Sequence, residues 1–232
     1  MAEVLLEVCV ETPAGLAAAV AGGADRIELC AALALGGLTP SPGMMSAAVA
    51  ARVPVHALIR PRGGGFVYDR AEVGGMLGDI LAARAAGLDG VVIGAALPDG
   101  RLDIGALREM VAVAGPMAVT LHRVFDYVPD WAEALESAIK LGIGRILTAG
   151  GKTTASAGIA RLAALFDHAG GRILILPAGR IRADTVEALQ ERLPLREVHA
   201  ACGNAGPEQP GFGAEWHTDR AAVRALKARL LS

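Results

Sequence analysis

Residues 117–151 read MAVTLHRVFDYVPDWAEALESAIKLGIGRILTAGG, and the alternation inside this stretch decides the architecture. The first ten residues, 117–126, start apolar and β-branched and finish in a polar group, His122, Arg123 and Asp126. DWAEALESAIKLG follows with helical spacing and closes on Gly142, a residue type that suits a helix C-terminus. RILTAGG at 145–151 then begins an apolar run again. A strand, a helix and a second strand with short connections form a parallel crossover unit, which is right-handed in nearly all proteins.

The same unit recurs in both directions. Apolar runs stand at LLEVCVE 5–11, RIELC 26–30, VPVHALIRP 53–61, GVVIG 90–94, RILILPAG 172–179 and EVHAAC 197–202. Most are continuously apolar in their first half, as expected of strands buried on both faces. Helical segments lie between them. Thr12-Pro13 opens TPAGLAAAVAGG with a cap residue followed by a proline, and Ser41-Pro42 repeats the device. DRAEVGGMLGDILAARAAG closes on Gly87, while SAGIARLAALFDHAG, ADTVEALQERL and DRAAVRALKARLL complete the series. Eight strands at a repeat of roughly 25 to 30 residues, with no domain break, predict one (β/α)8 TIM barrel spanning residues 1–232. A doubly wound open sheet would need about six strands and a switch point. One connection breaks the rhythm: GNAGPEQPGFGAEWHT at 203–218 has no helical period and is expected to be a long loop after strand eight, on the functional face.

Composition excludes several classes of function. The chain has 232 residues, a net charge of −2 and only 3% aromatic residues, so it offers neither a basic field nor a stacking surface for nucleic acid. The longest uncharged stretch, Cys30 to Ala51, contains Pro40, Pro42 and Gly36-Gly37 and makes a poor membrane span. MAEVLLEVCVE lacks the basic start of a signal peptide, and three cysteines do not make a disulfide framework. These features predict a cytoplasmic protein with reduced thiols, independent of membranes.

In a barrel of this kind the working groups sit at the C-terminal ends of the strands. Alternation places Glu7, Cys9 and Glu11 on one face of strand one, and Glu28 and Cys30 on one face of strand two. Neighbouring strands run about 4.8 Å apart, so the two thiols can meet, and a two-thiolate site favours Cu(I). The competing reading is that both cysteines are small buried hydrophobes. Carboxylates inside a barrel need partners, and Arg60 and Arg62 on strand three are the expected ones. Strand five supplies Thr120, His122 and Asp126 on one face and Arg123 on the other. Thr148, Gly150 and Gly151 after strand six, and Gly179 after strand seven, offer main-chain N–H groups to an anion. Schiff-base chemistry needs a lysine at a strand end; of Lys140, Lys152 and Lys227 only Lys152 is near that face, and it lies in a loop.

Several stretches together resemble the CutC family: LEVCVE at 6–11, AGGADRIELCAALALGGLTPSPG at 21–43, IRPRGGGFVY at 59–68, GPMAVTLHRVFD at 115–126, RILTAGG at 145–151 and REVHA at 196–200. The resemblance implies a cytoplasmic, homo-oligomeric TIM barrel linked by its name to copper handling, with copper-binding cysteines at Cys9 and Cys30. It implies a polar mouth of Glu7, Glu28, Arg60, Arg62, His122, Arg123, Asp126 and His199. The chain departs from the family pattern at Gly65, where an aspartate is usual, at Ala149, where a serine is usual, and at Ala178 and Arg180, which interrupt a glycine run.

Two functions follow as expectations. One is copper homeostasis, with Cu(I) held by Cys9 and Cys30. The other is an enzyme acting by acid–base chemistry on a small phosphorylated or carboxylated metabolite. There Arg60, Arg62, Arg123, Thr148, Gly150, Gly151 and His199 would hold the anion, and Glu7, Glu28, His122 and Asp126 would move protons.

Overall fold

The computed structural model of the chain describes residues 3–210 and 213–231. Eight parallel strands form its central sheet: β1 (Leu5–Val10), β2 (Arg26–Leu29), β3 (Val55–Leu58), β4 (Gly90–Ile93), β5 (Ala118–Leu121), β6 (Arg145–Thr148), β7 (Leu174–Pro177) and β8 (Glu197–Ala200). Each strand pairs with its sequence neighbour from β1 to β7, and β8 pairs back onto β1. β7 and β8 then lie side by side without a ladder, so the sheet is a nearly closed barrel. The helices α1 (Pro13–Gly22), α2 (Pro42–Ala48), α3 (Arg70–Ala86), α4 (Ile104–Ala114), α5 (Trp131–Lys140), α6 (Ile159–Ala169), α7 (Glu187–Gln190) and α8 (Arg220–Leu230) follow the strands. None of the described helices is long and apolar enough to cross a membrane.

The helix ends form where the sequence signals stand. Thr12 Oγ1 accepts the amide of Gly15 at the start of α1, ahead of Pro13. Asp69 and Glu72 close a reciprocal capping box on α3, which ends on left-handed Gly87. α7 is much shorter than ADTVEALQERL leads one to expect. Arg182 and Thr185 engage each other in a turn that takes up the first part of the segment, and Pro194 follows closely behind it.

The expected loop at 203–218 is instead an antiparallel hairpin, β9 (Gly203–Gln209) and β10 (Gly213–Thr218). Its glycines, read from sequence as loop residues, permit close strand approach: a Cβ at Gly203 would lie 2.2 Å from the carbonyl oxygen of His217. Glu11, just past β1, anchors the hairpin by accepting the Trp216 amide at 3.0 Å. It also accepts the Leu33 amide, so one carboxylate ties two segments of the rim.

The barrel has an outer and an inner core. Leu6, Val8, Val10, Ile27, Leu29, Ile93 and Leu121 face outward into the helix layer. Inward residues near the strands' starts are charged. Glu7 stands opposite Arg26 in the β1–β2 ladder and opposite His199 in the β1–β8 ladder. Arg26 bonds Glu7 and reaches Glu197 at 2.7 Å, and Arg145 reaches Glu197 at 3.0 Å. The partners of Glu7 therefore come from β2 and β8, not from the strand-three arginines expected from sequence. Register explains the difference, since Arg60 and Arg62 lie beyond the end of β3, well above this layer.

Above the ion layer the interior turns apolar, with Cys9, Cys30, Leu58 and Val92 in one cluster and Leu147, Leu176 and Ala178 in another. Replacing Arg26 by methionine strips both Glu7 and Glu197 of a buried partner. Urea denaturation of Arg26→Met is expected to show a loss of about 3–5 kcal/mol; a loss below about 1 kcal/mol would mean that His199 and Arg145 suffice as partners for the two carboxylates.

Candidate functional site

The strands' C-terminal ends open into a cavity of about 810 Å³. Its lining includes Cys9 and Glu28 from β1 and β2, His199 from β8, Arg60 beyond β3 and His122 after β5. Cys9, Glu28 and His199 lie within their strands, and Arg60 and His122 just past the ends of theirs, so the backbone ladder sets their spacing.

On the β8–β1–β2 side, ligand atoms of Cys9, Glu28 and His199 all lie within 4.8 Å of one another, and all three residues are buried. Glu7 holds the His199 ring from below: its Oε1 lies 2.8 Å from Nδ1, leaving Nε2 directed toward Glu28 Oε2 at 3.7 Å. Burial alone would raise the Glu7 carboxyl. The His199 hydrogen bond and the Arg26 charge outweigh it and hold Glu7 well below the usual carboxylate range. Burial pushes Glu28 up to about 7, opposed by His199 and reinforced by the negative charge of Glu7. Burial would lower His199, but hydrogen bonds to Cys9 and Glu7 raise it well above the ordinary histidine value. Two neighbouring carboxylates thus differ widely in proton affinity, the condition for one to stay ionised while the other exchanges a proton near neutrality.

Cys30 packs beside Cys9 but lies outside this three-ligand group. Its thiol turns to the Glu28 carbonyl oxygen at 3.8 Å, and burial, with Glu28 nearby, pushes its titration well above the thiol norm. Cys202, half-buried with a left-handed backbone, is pushed up to about 12 by burial. The side chains that could together hold a metal ion are Cys9, Glu28 and His199, where the sequence suggested Cys9 and Cys30.

The anion-binding residues inferred from sequence divide. Arg60 lines the cavity and is buried. Arg62 turns outward, where it pairs with Glu72 and stacks on Tyr68. Arg123 lines the cavity but is committed to Asp126 at 2.7 Å and to the Lys152 carbonyl at 2.9 Å. Asp126 is not among the cavity's lining residues. Its carboxylate accepts the Thr148 hydroxyl at 2.6 Å and the amides of Ala149 and Gly151 at 3.1 and 2.8 Å. The Gly150 amide goes to Thr148 Oγ1. The donors expected to cradle an anion after β6 are thus taken up within the protein, by the Asp126 carboxylate and the Thr148 hydroxyl.

Sequence reading missed Arg26, although RIELC places it on the same strand face as Glu28 and Cys30. It also missed Phe66 and Trp216, which line the cavity from segments without periodicity. Arg180, at the rim, adopts a left-handed backbone with φ of +54°, unusual for a side chain of its size.

The chain matches the CutC family over residues 4–204. A family protein CutC of Rhizobium meliloti (strain 1021) is 53% identical over 238 residues, covering 99% of this chain and 97% of that protein. A counterpart from Caulobacter vibrioides (strain NA1000 / CB15N) is 52% identical over 204 residues, 88% of this chain and 83% of that one. Among solved structures, a protein named for copper homeostasis, CutC from Streptococcus agalactiae, superposes with a TM-score of 0.81. It shares 29% identity over 85% of this chain and 98% of that one. A phosphoribosylanthranilate isomerase from Pyrococcus furiosus, at 13% identity and a TM-score of 0.60 over 98% of each chain, shares the barrel fold alone.

The cavity histidine on the far side has a stability signature. Burial, with the charge of Arg60, lowers His122 from 6.5 to about 3. The folded state therefore keeps His122 neutral while the unfolded state protonates below pH 6.5, and its contribution is present above that value and lost as pH falls. Between pH 6.5 and about pH 5 this costs about 2 kcal/mol. Urea titrations at the two pH values should show His122→Phe losing that much less stability than wild type, and equal losses would refute the assignment.

Proposed function

The chain belongs to the CutC family, and we propose that it serves copper homeostasis by holding a copper(I) ion between Cys9 and His199, with Glu28 beside them. The observation that carries this reading is the convergence of three ligand atoms within 4.8 Å at the floor of an open cavity. A thiolate is the donor that favours copper(I) over harder cations, and an imidazole suits copper as well. Glu7 on Nδ1 of His199 is the arrangement that fixes a ligating histidine's orientation and leaves Nε2 for the metal. The ion displaces the proton held by His199, so its uptake releases protons. The copper here is cargo, reached directly from the cavity mouth. A cytoplasmic setting keeps Cys9 and Cys30 as thiols, and the reading carries with it a homo-oligomeric barrel.

The volume of the cavity favours a second reading. About 810 Å³ is the size of a small-molecule site. An enzyme acting on a small anionic metabolite would use Glu28 as the proton-exchanging group, with Arg60 drawing the anion.

Anaerobic Cu(I) titration against a competing chelator tests the first reading. Cys9→Ser is expected to abolish tight binding, and Cys30→Ser to leave it close to wild type. Glu7→Gln should weaken it by roughly 10–100-fold through the loosened His199. Binding insensitive to Cys9→Ser would sink the reading. Loss with Cys30→Ser as well would assign the ion to the thiolate pair that the sequence suggested.

A further inference from the structure

The β3–β5 side of the cavity lies apart from Cys9, Glu28 and His199, and it holds a charge without a countercharge. Arg60 is only 7% exposed, and among the described residues no carboxylate lies within ion-pair distance of it. Arg26 and Arg145, also within the barrel, both have glutamate partners. The Arg60 Nη1 donates to the carbonyls of Leu35 and Gly37, both at 2.9 Å, and Nη2 to that of Gly64 at 2.8 Å. Those bonds fix its position and leave its charge uncompensated. Its Nε is buried with no partner at bonding distance, and the nearest side-chain oxygen is the buried Tyr68 hydroxyl, which is neutral and leaves the positive charge unbalanced. A desolvated guanidinium in that state is unfavourable until an anion arrives.

His122 stands next to it. The Phe66 ring lies 5.2 Å from the Arg60 guanidinium and 4.8 Å from the His122 ring, so the three side chains form one wall. The His122 Nδ1 accepts the Val124 amide at 3.0 Å. In the neutral ring that bond places the proton on Nε2. Nε2 is buried and has no partner. Gly94 behind the ring makes this seat available, since a Cβ there would fall 2.2 Å from Cε1.

An orphaned histidine donor and a guanidinium without a countercharge therefore belong to one wall of the cavity. We propose that Arg60, Phe66 and His122 form a subsite for the carboxylate of an organic acid with an apolar, ring-sized body. The inference rests on the small-molecule reading above and names its ligand class. The donor count selects the head group, because two N–H donors match a carboxylate's acceptors while the nearby amides that would serve a phosphate are bound by Asp126 and Thr148. The lining selects the body. Leu35, Val67 and Tyr127 are exposed at the rim, 60%, 45% and 71% respectively, and Leu33, Leu147 and Trp216 continue the apolar surface inward. His122 acts here as a hydrogen-bond donor of fixed tautomer and transfers no proton.

The test uses metal-free protein, so the copper reading does not affect its outcome. Calorimetry is run with phenylacetate, its neutral amide phenylacetamide, and ribose 5-phosphate, on wild type, Arg60→Met and His122→Phe. Phenylacetate is expected to bind saturably and more tightly than the amide, with each substitution weakening it by roughly tenfold or more. Long-range proton–nitrogen spectra are expected to show the His122 Nε2 protonated and Nδ1 bare between about pH 5 and pH 8. If Arg60→Met fails to fold, His122→Phe and the spectra carry the test. Phenylacetate binding unchanged by His122→Phe, or an Nδ1-protonated ring, overturns the subsite. Binding of ribose 5-phosphate without phenylacetate overturns the carboxylate assignment and leaves the small-anion reading standing. Binding of neither ligand removes both.

Discussion

The ion layer of Glu7, Arg26, Glu197 and Arg145 is the constraint on which the rest of the interior depends. Four charges inside a barrel survive only when each has a partner at bonding distance, and the parallel register supplies those partners by setting Glu7 level with Arg26 and His199. Satisfying Glu7 in this way leaves it one oxygen for the His199 ring. The orientation of His199, and with it the relation of Nε2 to Cys9 and Glu28, follows from a network whose first task is to neutralise buried charge. A stability element and a site element thus share one carboxylate.

Above that layer the cavity is chemically divided. The β8–β1–β2 side carries a thiol, a carboxyl that exchanges its proton near neutrality and a histidine held charged. The β3–β5 side carries a fixed positive charge and a histidine held neutral. Two buried histidines of one barrel sit at opposite ends of the protonation scale. Burial lowers both rings; the Arg60 charge lowers His122 further, whereas hydrogen bonds to Cys9 and Glu7 and the Glu28 charge more than reverse it at His199. A ligand spanning the cavity meets an acceptor-rich pole and a donor-rich pole at fixed separation, and that asymmetry gives its binding a direction.

The strand–helix alternation was legible from the sequence because both periods are local. Parallel strands buried on both faces read as continuous apolar runs, and Thr12, Asp69 and Gly87 mark helix ends through bonds to residues a few positions away. Glu7, Cys9 and Glu28 could be placed on the inner face by alternation alone. What the sequence withheld depends on register and on non-local bonds. Arg26, one residue into its strand, pairs with Glu7 because of a ladder no local pattern encodes. Arg62, two residues beyond Arg60 and equally basic, turns outward to Glu72 and leaves the cavity. Asp126 looked like a proton-transfer group, but it accepts the donors of a loop more than twenty residues away. The hairpin at 203–218 was hidden because its glycines, ordinarily loop residues, serve close strand packing.

That hairpin has a kinetic consequence. Among the described residues β9 and β10 pair with each other and with no strand of the barrel sheet, and Glu11 ties Trp216 to the rim by a hydrogen bond. Displacing the hairpin would break its contacts with α1 and the rim and none of the barrel's ladders, so its opening is separable from unfolding of the sheet. The lifetime of a ligand of the proposed kind beneath Trp216 would then depend on this local opening and not on the global stability of the barrel. Residence time and fold stability become separately adjustable, one through the attachment at Glu11 and the other through the ion layer beneath it.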